Sequence, residues 1–322
     1  MRKKIILLFL VIPLLLLLVN NSFVAKAEEK NFYLGGYSAG FTLYCEGAEI
    51  VGLCDVVNVD KVSSPSKECD LRVGDILLQI DEHMVNCAKD IENAVNNGKS
   101  KILKVKRKSE ILIKSIKPMK DSTGRYKLGL FIKEGINGIG TITYFTDEEI
   151  GCLGHPILNE SGDVLNVTGG KIVDCKINGI IKGVKGRAGE LKGTFTNDLF
   201  YGNINKNCLK GVFANKDNSI KINNLKKIEL ASPQMGDAFI YCSLTDGKPE
   251  KYSISIIKVD NGRDDKNLVV KINDQRLLEE TGGIVQGMSG SPIVQNNKLV
   301  GAVTHVFIND PTKGFADFIT IK

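Results

Sequence analysis

In the stretch Thr281-Gly282-Gly283-Ile284-Val285-Gln286-Gly287-Met288-Ser289-Gly290-Ser291-Pro292-Ile293-Val294, one serine, Ser289, stands beside glycines and leads into an apolar, β-branched run. Glycine on both sides of Met288-Ser289 lets the backbone take conformations closed to other residues. The Ser289 hydroxyl can then be presented while the amides of Gly287 and Ser289 converge on one point. Converging amides are what a developing oxyanion requires, and each such donor lowers a barrier by about 3 kcal/mol.

A nucleophilic serine needs a base, and beyond residue 126 only His155 and His305 are available. His155 lies in Gly151-Cys152-Leu153-Gly154-His155-Pro156-Ile157, directly after a short strand and turn. His305 precedes the loop Asn309-Asp310-Pro311 and reads as structural. Chain order narrows the fold. An α/β-hydrolase needs Gly-x-Ser-x-Gly, then an acid, then a histidine; here residue 291 is Ser, and no acid lies between Ser289 and His305. The order histidine, acid, serine is met by His155, an acid of the long middle stretch and Ser289, as in chymotrypsin-like barrels. Composition leaves that acid open.

Around these motifs the chain is rich in Gly and in short β-rich runs: 138–144, 171–177, 237–244, 252–259, 268–272 and 298–305. Short strands at turn-marked intervals without a long helical period predict an all-β barrel or sandwich over residues 127–322. A polar stretch with Thr123-Gly124, residues 119–126, reads as a linker. Upstream, residues 32–118 read as a smaller domain. Gly35-Gly36-Tyr37-Ser38-Ala39-Gly40-Phe41 is a glycine loop entering a strand, and Leu71-Arg72-Val73-Gly74-Asp75-Ile76-Leu77 a turn entering another. Asn86 can cap a helix whose Ile91, Ala94 and Val95 share a face and which Gly98 ends; runs at 102–105 and 111–116 close the domain as a hairpin.

The 322 residues are 43% hydrophobic and 25% charged, with 33 Gly, an ordinary globular mixture of a length that suggests two domains. The net charge of +6 does not mark a polyanion binder. Arg2, Lys3, Lys4 and Lys26 fall in the first 27 residues, and without them 39 basic residues face 37 acidic ones. Nucleic acid is set aside as a partner. Those 27 residues have the layout of a signal peptide or membrane anchor: Arg2-Lys3-Lys4, an apolar run from Ile5 to Val19, then Ala25-Lys26-Ala27. The working part of the chain is thus expected outside the cytosol. Eight cysteines could pair there, in a pattern the sequence does not choose. None forms a Cys-x-x-Cys pair, so neither metal nor cofactor is expected.

Two resemblances add to this reading. Glycine loop, strand, Leu-Arg-Val-Gly-Asp-Ile-Leu, helix and hairpin resemble a PDZ domain. That implies capture of an extended peptide or C-terminus as an added strand, with Gly35, Gly36, Gly40 and Phe41 around its carboxylate. The whole chain, with its signal segment, Gly-x-Leu-Gly-His-x-Ile, the serine motif and Gly301-Ala302-Val303-Thr304-His305-Val306-Phe307-Ile308-Asn309-Asp310-Pro311, resembles the SpoIVB family of sporulation serine peptidases. The resemblance implies a trypsin-like peptidase domain exported across the forespore membrane into the intermembrane space. It also implies cleavage of the enzyme itself and of a regulator of a membrane metalloprotease complex, which releases late sigma-factor processing. It places the general base on His155, the nucleophile on Ser289 and the acid on Asp274, fifteen residues before the serine. Asp163 and Asp310 are the alternative acids. A non-catalytic PDZ-containing scaffold of the same pathway is the competing expectation.

Overall fold

A computed structural model describes residues 30–133, 135–158, 162–245 and 247–319. The expected signal peptide or anchor, residues 1–27, lies outside them. The described chain is mainly β. β1 (Phe32–Leu34) and β2 (Ser38–Cys45) open it, followed by β3 (Ala48–Leu53), the ribbon β4 (Val56–Val57) and β5 (Val62–Ser63), and the short helix α1 (Pro65–Glu68). Next come β6 (Ile76–Ile80), β7 (His83–Met84), α2 (Ala88–Val95), β8 (Lys101–Arg107) and β9 (Glu110–Ile116). β10 (Met119–Lys120) and β11 (Tyr126–Lys127) pair across the expected linker and lead to β12 (Leu130–Lys133). The remainder runs β13 (Ile136–Phe145), β14 (Glu149–Cys152), β15 (Val167–Ile181), β16 (Gly189–Cys208), β17 (Gly211–Lys216), β18 (Lys227–Leu230), β19 (Gly236–Cys242), β20 (Glu250–Val259) and β21 (Leu268–Ile272). It ends with α3 (Gln275–Thr281), β22 (Val285–Gln286), β23 (Pro292–Gln295), β24 (Lys298–Val306) and β25 (Lys313–Phe318).

The large sheet closes on itself twice. β2, β13, β14, β17, β16 and β15 pair in turn, and β15 returns to β2. β19, β20, β21, β25, β24 and β23 do the same, with β23 returning to β19. Each ring is a barrel with its own core, as alternation requires. In β20, Tyr252, Ile254 and Ile256 point inward and are buried, while Ser253 and Ser255 between them are half-exposed. Phe41, Leu43, Ile142, Ile150 and Ile172 fill the first barrel, and Ile240, Ile254, Val270, Leu277 and Ile293 the second. Burial of each such side chain contributes about 1.5–3 kcal/mol.

The smaller sheet runs β12, β3, β6, β8, β9, with β7 on β6. Ile91 and Val95 of α2 join its core with Ile50, Leu77, Ile80 and Leu103. The expected helix and hairpin are there. The cap falls one residue later than Asn86, at Cys87, because Asp90 accepts from the amides of both Asn86 and Cys87. Gly98 takes the left-handed conformation, φ +65°.

The boundaries at 32–118 and 127–322 do not follow the sheets. β1 and β2 belong to the large sheet, where β2 lies between β13 and β15, and β12 belongs to the smaller sheet beside β3. Both edges of β2 are therefore filled, and no peptide can add there. The amides of Gly35 and Gly36 already donate to the carbonyls of Thr143 and Ile142. Gly40 packs under the Phe195 ring, and Phe41 is core. These four residues are barrel structure, and the carboxylate loop expected of them is corrected accordingly. No disulfide joins any of the eight cysteines, of which Cys152, Cys175 and Cys242 are buried.

Candidate active site

Ser289 and His155 come from different barrels. His155 follows β14 of the first, and Ser289 lies in the turn between β22 and β23 of the second. The serine turn is clamped by β13. Thr141 donates its hydroxyl to Gly287 O at 2.8 Å and its amide to Ser289 O at 2.8 Å, and Thr143 donates its hydroxyl to Gly290 O at 2.8 Å. Gly287 and Gly290 sit at φ +99° and +96°, as the motif predicts. A Cβ on Gly290 would lie 2.1 Å from Thr141 O and 2.6 Å from the Leu153 amide nitrogen. The serine turn thus presses directly on the segment that leads to His155. Among the described residues the Ser289 amide donates to no protein acceptor.

The histidine segment is bent sharply. Gly154 donates its amide to Cys152 O at 2.8 Å around Leu153, a buried non-glycine residue at φ +66°. Backbone strain of this kind costs on the order of 1–3 kcal/mol and persists where the surroundings enforce it. A Cβ on Gly154 would lie 3.1 Å from Thr304 Cγ2, so this bend rests against Thr304. Asn207 braces the far side, accepting from the Ile157 amide and donating to the carbonyls of Ile157 and Leu165.

His155 Nδ1 lies 2.8 Å from Pro156 O. A carbonyl only accepts, so Nδ1 carries the hydrogen and Nε2 keeps the lone pair, the tautomer a general base needs. Burial pushes the His155 imidazole below its ordinary value, more than the Pro156 bond raises it, and Lys266 adds to the lowering. Its ring stands 4.9 Å from that of His305. His305 is exposed as a residue, yet desolvation, then His155 and Lys266, push its ring down to about 4, while Asp265 acts in the opposite direction. At neutral pH both rings are uncharged.

Ser289 Oγ donates not to His155 but to Thr304 O, at 2.8 Å. Thr304 is buried, and its own hydroxyl has no partner among the described residues. Thr304 and its successor therefore join the parts of the site: the Thr304 carbonyl holds the serine, its methyl backs Gly154, and the His305 ring lies tilted beside His155.

Asp274, expected as the acid, is not brought to this place. It is the N-cap of α3, accepting from the amides of Arg276 and Ser253 and pairing with the Arg276 guanidinium. Burial would raise its carboxyl, but Arg276 and the Ser253 amide hold it below the usual range. Among the described residues no hydrogen bond or ion pair links it to either histidine. Of the alternatives, Asp310 accepts from Thr312 and pairs with Lys313 in a turn, and Asp163 is exposed on the loop after His155. Sequence reasoning missed Thr304 and Asn207, whose roles depend on register, and set aside His305, which had been visible as the second histidine.

The profile of the SpoIVB peptidase S55 family matches residues 124–321. No curated protein matches the chain.

Proposed function

The chain belongs to the SpoIVB peptidase S55 family, a family of sporulation serine peptidases, and on that premise we propose that Ser289 is its nucleophile and His155 its general base. The carrying observation is that segments of two separately closed barrels meet at Thr304-His305, Ser289 bonding Thr304 O, Gly154 resting against the Thr304 methyl and His155 standing beside His305, the layout of chymotrypsin-type enzymes. Ser289 attacks the peptide carbonyl as His155 Nε2 takes its proton, which later passes to the leaving amine. The free Ser289 amide, with that of Gly287, faces the oxyanion. Pro156 O performs the orienting task expected of Asp274, which serves instead as a helix cap.

The smaller sheet supports a PDZ-like reading, with the peptide site moved from residues 35–41 to its open edge. β12 pairs with β3 on one side only. Between its other side and α2 lies a groove of about 500 Å³ lined by Ala88, Ile91, Val95, Leu128, Leu130 and Ile132. An extended peptide or C-terminus can add to β12 there, its side chains against α2. Family membership supports an exported enzyme that cleaves itself and a regulator of a membrane metalloprotease at the forespore membrane.

The test is labelling of purified protein with a fluorophosphonate and mapping of the labelled peptide. Label on Ser289 that is lost in His155→Ala supports the peptidase reading. Folded protein that takes no label would favour the scaffold, and sporulation signalling that survives Ser289→Ala would establish it.

A further inference from the structure

β24 contains an irregularity at the site. Val303 pairs with Ala316 and His305 with Phe315, so Thr304 is an extra residue in the ladder with β25. The consequence shows in the carbonyls. Val303 O accepts the Gly290 amide at 2.7 Å, and Thr304 O accepts the Ser289 hydroxyl at 2.8 Å. Two successive carbonyls face the serine turn, where a regular strand would alternate. Phe307 then donates its amide to Lys313 O in β25, which by alternation turns the N–H and C=O of Val306 back to the serine side. The pairing of β24 with β23 ends at Ala302. Among the described residues no strand covers the Thr304–Val306 edge on that side.

An uncovered edge beside a nucleophile is a place for one more strand, and its first acceptor is occupied by the nucleophile. We infer that Thr304 O is a latch: it holds the Ser289 hydroxyl away from His155 until the backbone N–H of an extended peptide, laid along Thr304–Val306, takes that carbonyl. One hydrogen bond is exchanged for another. The peptide N–H donates to Thr304 O, and the Ser289 O–H, released by rotation about its Cα–Cβ bond, donates to His155 Nε2. The substrate class is a peptide in β conformation with a free backbone N–H next to the scissile carbonyl. Small electrophiles without that donor meet a latched serine. This rests on the peptidase reading of Ser289 and His155.

The test compares three phosphorus electrophiles of equal intrinsic reactivity on the purified protein: a tri-alanine phosphonate, the same compound with the N–H beside phosphorus replaced by CH2, and a small alkyl phosphonate. Limiting labelling rates at saturation are read separately from half-saturating concentrations. The latch predicts a limiting rate about tenfold lower for the CH2 compound, the scale of one hydrogen bond, with the alkyl compound equally slow. Equal limiting rates, with only the half-saturating concentration raised, would show an ordinary binding contact and overturn the latch while leaving the peptidase intact. Absence of Ser289 label from all three would overturn both.

Discussion

Gly290→Ala tests whether the serine turn is built as its contacts indicate. The added Cβ would lie 2.1 Å from Thr141 O, and ordinary contact begins near 3.4 Å, so turn and β13 must separate by more than 1 Å. That movement strains three hydrogen bonds: Gly290 N–H to Val303 O, Thr143 hydroxyl to Gly290 O, and Thr141 N–H to Ser289 O. Each is worth about 0.5–1.5 kcal/mol. The left-handed conformation at φ +96° adds about 1–2 kcal/mol for a residue with a Cβ. The expected loss is about 3–5 kcal/mol. A 1 Å displacement of a nucleophile costs about 100-fold in rate. Gly74→Ala is the control, since Gly74 has φ +88° but nothing within 4 Å of a built Cβ, and it isolates the conformational cost. Urea unfolding and the rate of fluorophosphonate labelling measure the two effects. The reasoning fails if Gly290→Ala labels at the parental rate, or if Gly74→Ala destabilises as much.

Three further outcomes are expected. Because the His155 imidazole lies below its ordinary value, its base form persists to lower pH; the acid limb of the labelling rate should have its midpoint below 6.5, and a midpoint at or above that value would refute the desolvated site. Asp274→Asn keeps a capping side chain and removes the charge, so labelling should stay within a few-fold of the parent if Pro156 O orients His155, whereas a loss of about 10⁴ would make Asp274 the acid after all. Asp75→Asn should destabilise by about 3–5 kcal/mol in thermal unfolding, because Asp75 is 1% exposed and accepts two bonds from Arg107. Burial would raise the Asp75 carboxyl, but Arg107 and the Arg72 amide outweigh it and hold it low. Its contribution is thus full above the ordinary carboxylate range and lost as pH falls through the lowered value, which a pH series of the two proteins will show.

The serine turn was legible because its cause is local: Gly287 and Gly290 must adopt positive φ, and the sequence spells that out. Six barrel strands, β13, β15, β19, β20, β21 and β24, were legible as short β-rich runs between turn signals, whereas the long β16 and the closing β25 were not. The partner of Gly35–Phe41 was not, since a glycine loop entering an apolar strand reads alike whether its neighbours are β13 and β15 or a peptide. Only long-range pairing decides. Asp274 illustrates two signals competing at one position. The family resemblance implied an acid there, while Asp-x-Arg before Leu277-Leu278 is also a helix start, and in the structure Asp274 caps that helix. The bulge at Thr304 leaves no mark in composition or period, because it depends on the register between β24 and β25.

Leu43 and Ile136 face one another across β2 and β13, so everything between them is an insertion into a single hairpin of the first barrel. The inserted sheet hangs from two covalent tethers, not one. Cutting it out and joining residues 45 and 136 through a tight turn should leave a barrel that still melts cooperatively, as thermal unfolding followed by far-ultraviolet circular dichroism would record. The attachment also has a mechanical side. One tether leads to the strand whose Thr141 and Thr143 grip the turn of Ser289, so a load on the inserted sheet pulls on the same rod that sets the position of that serine.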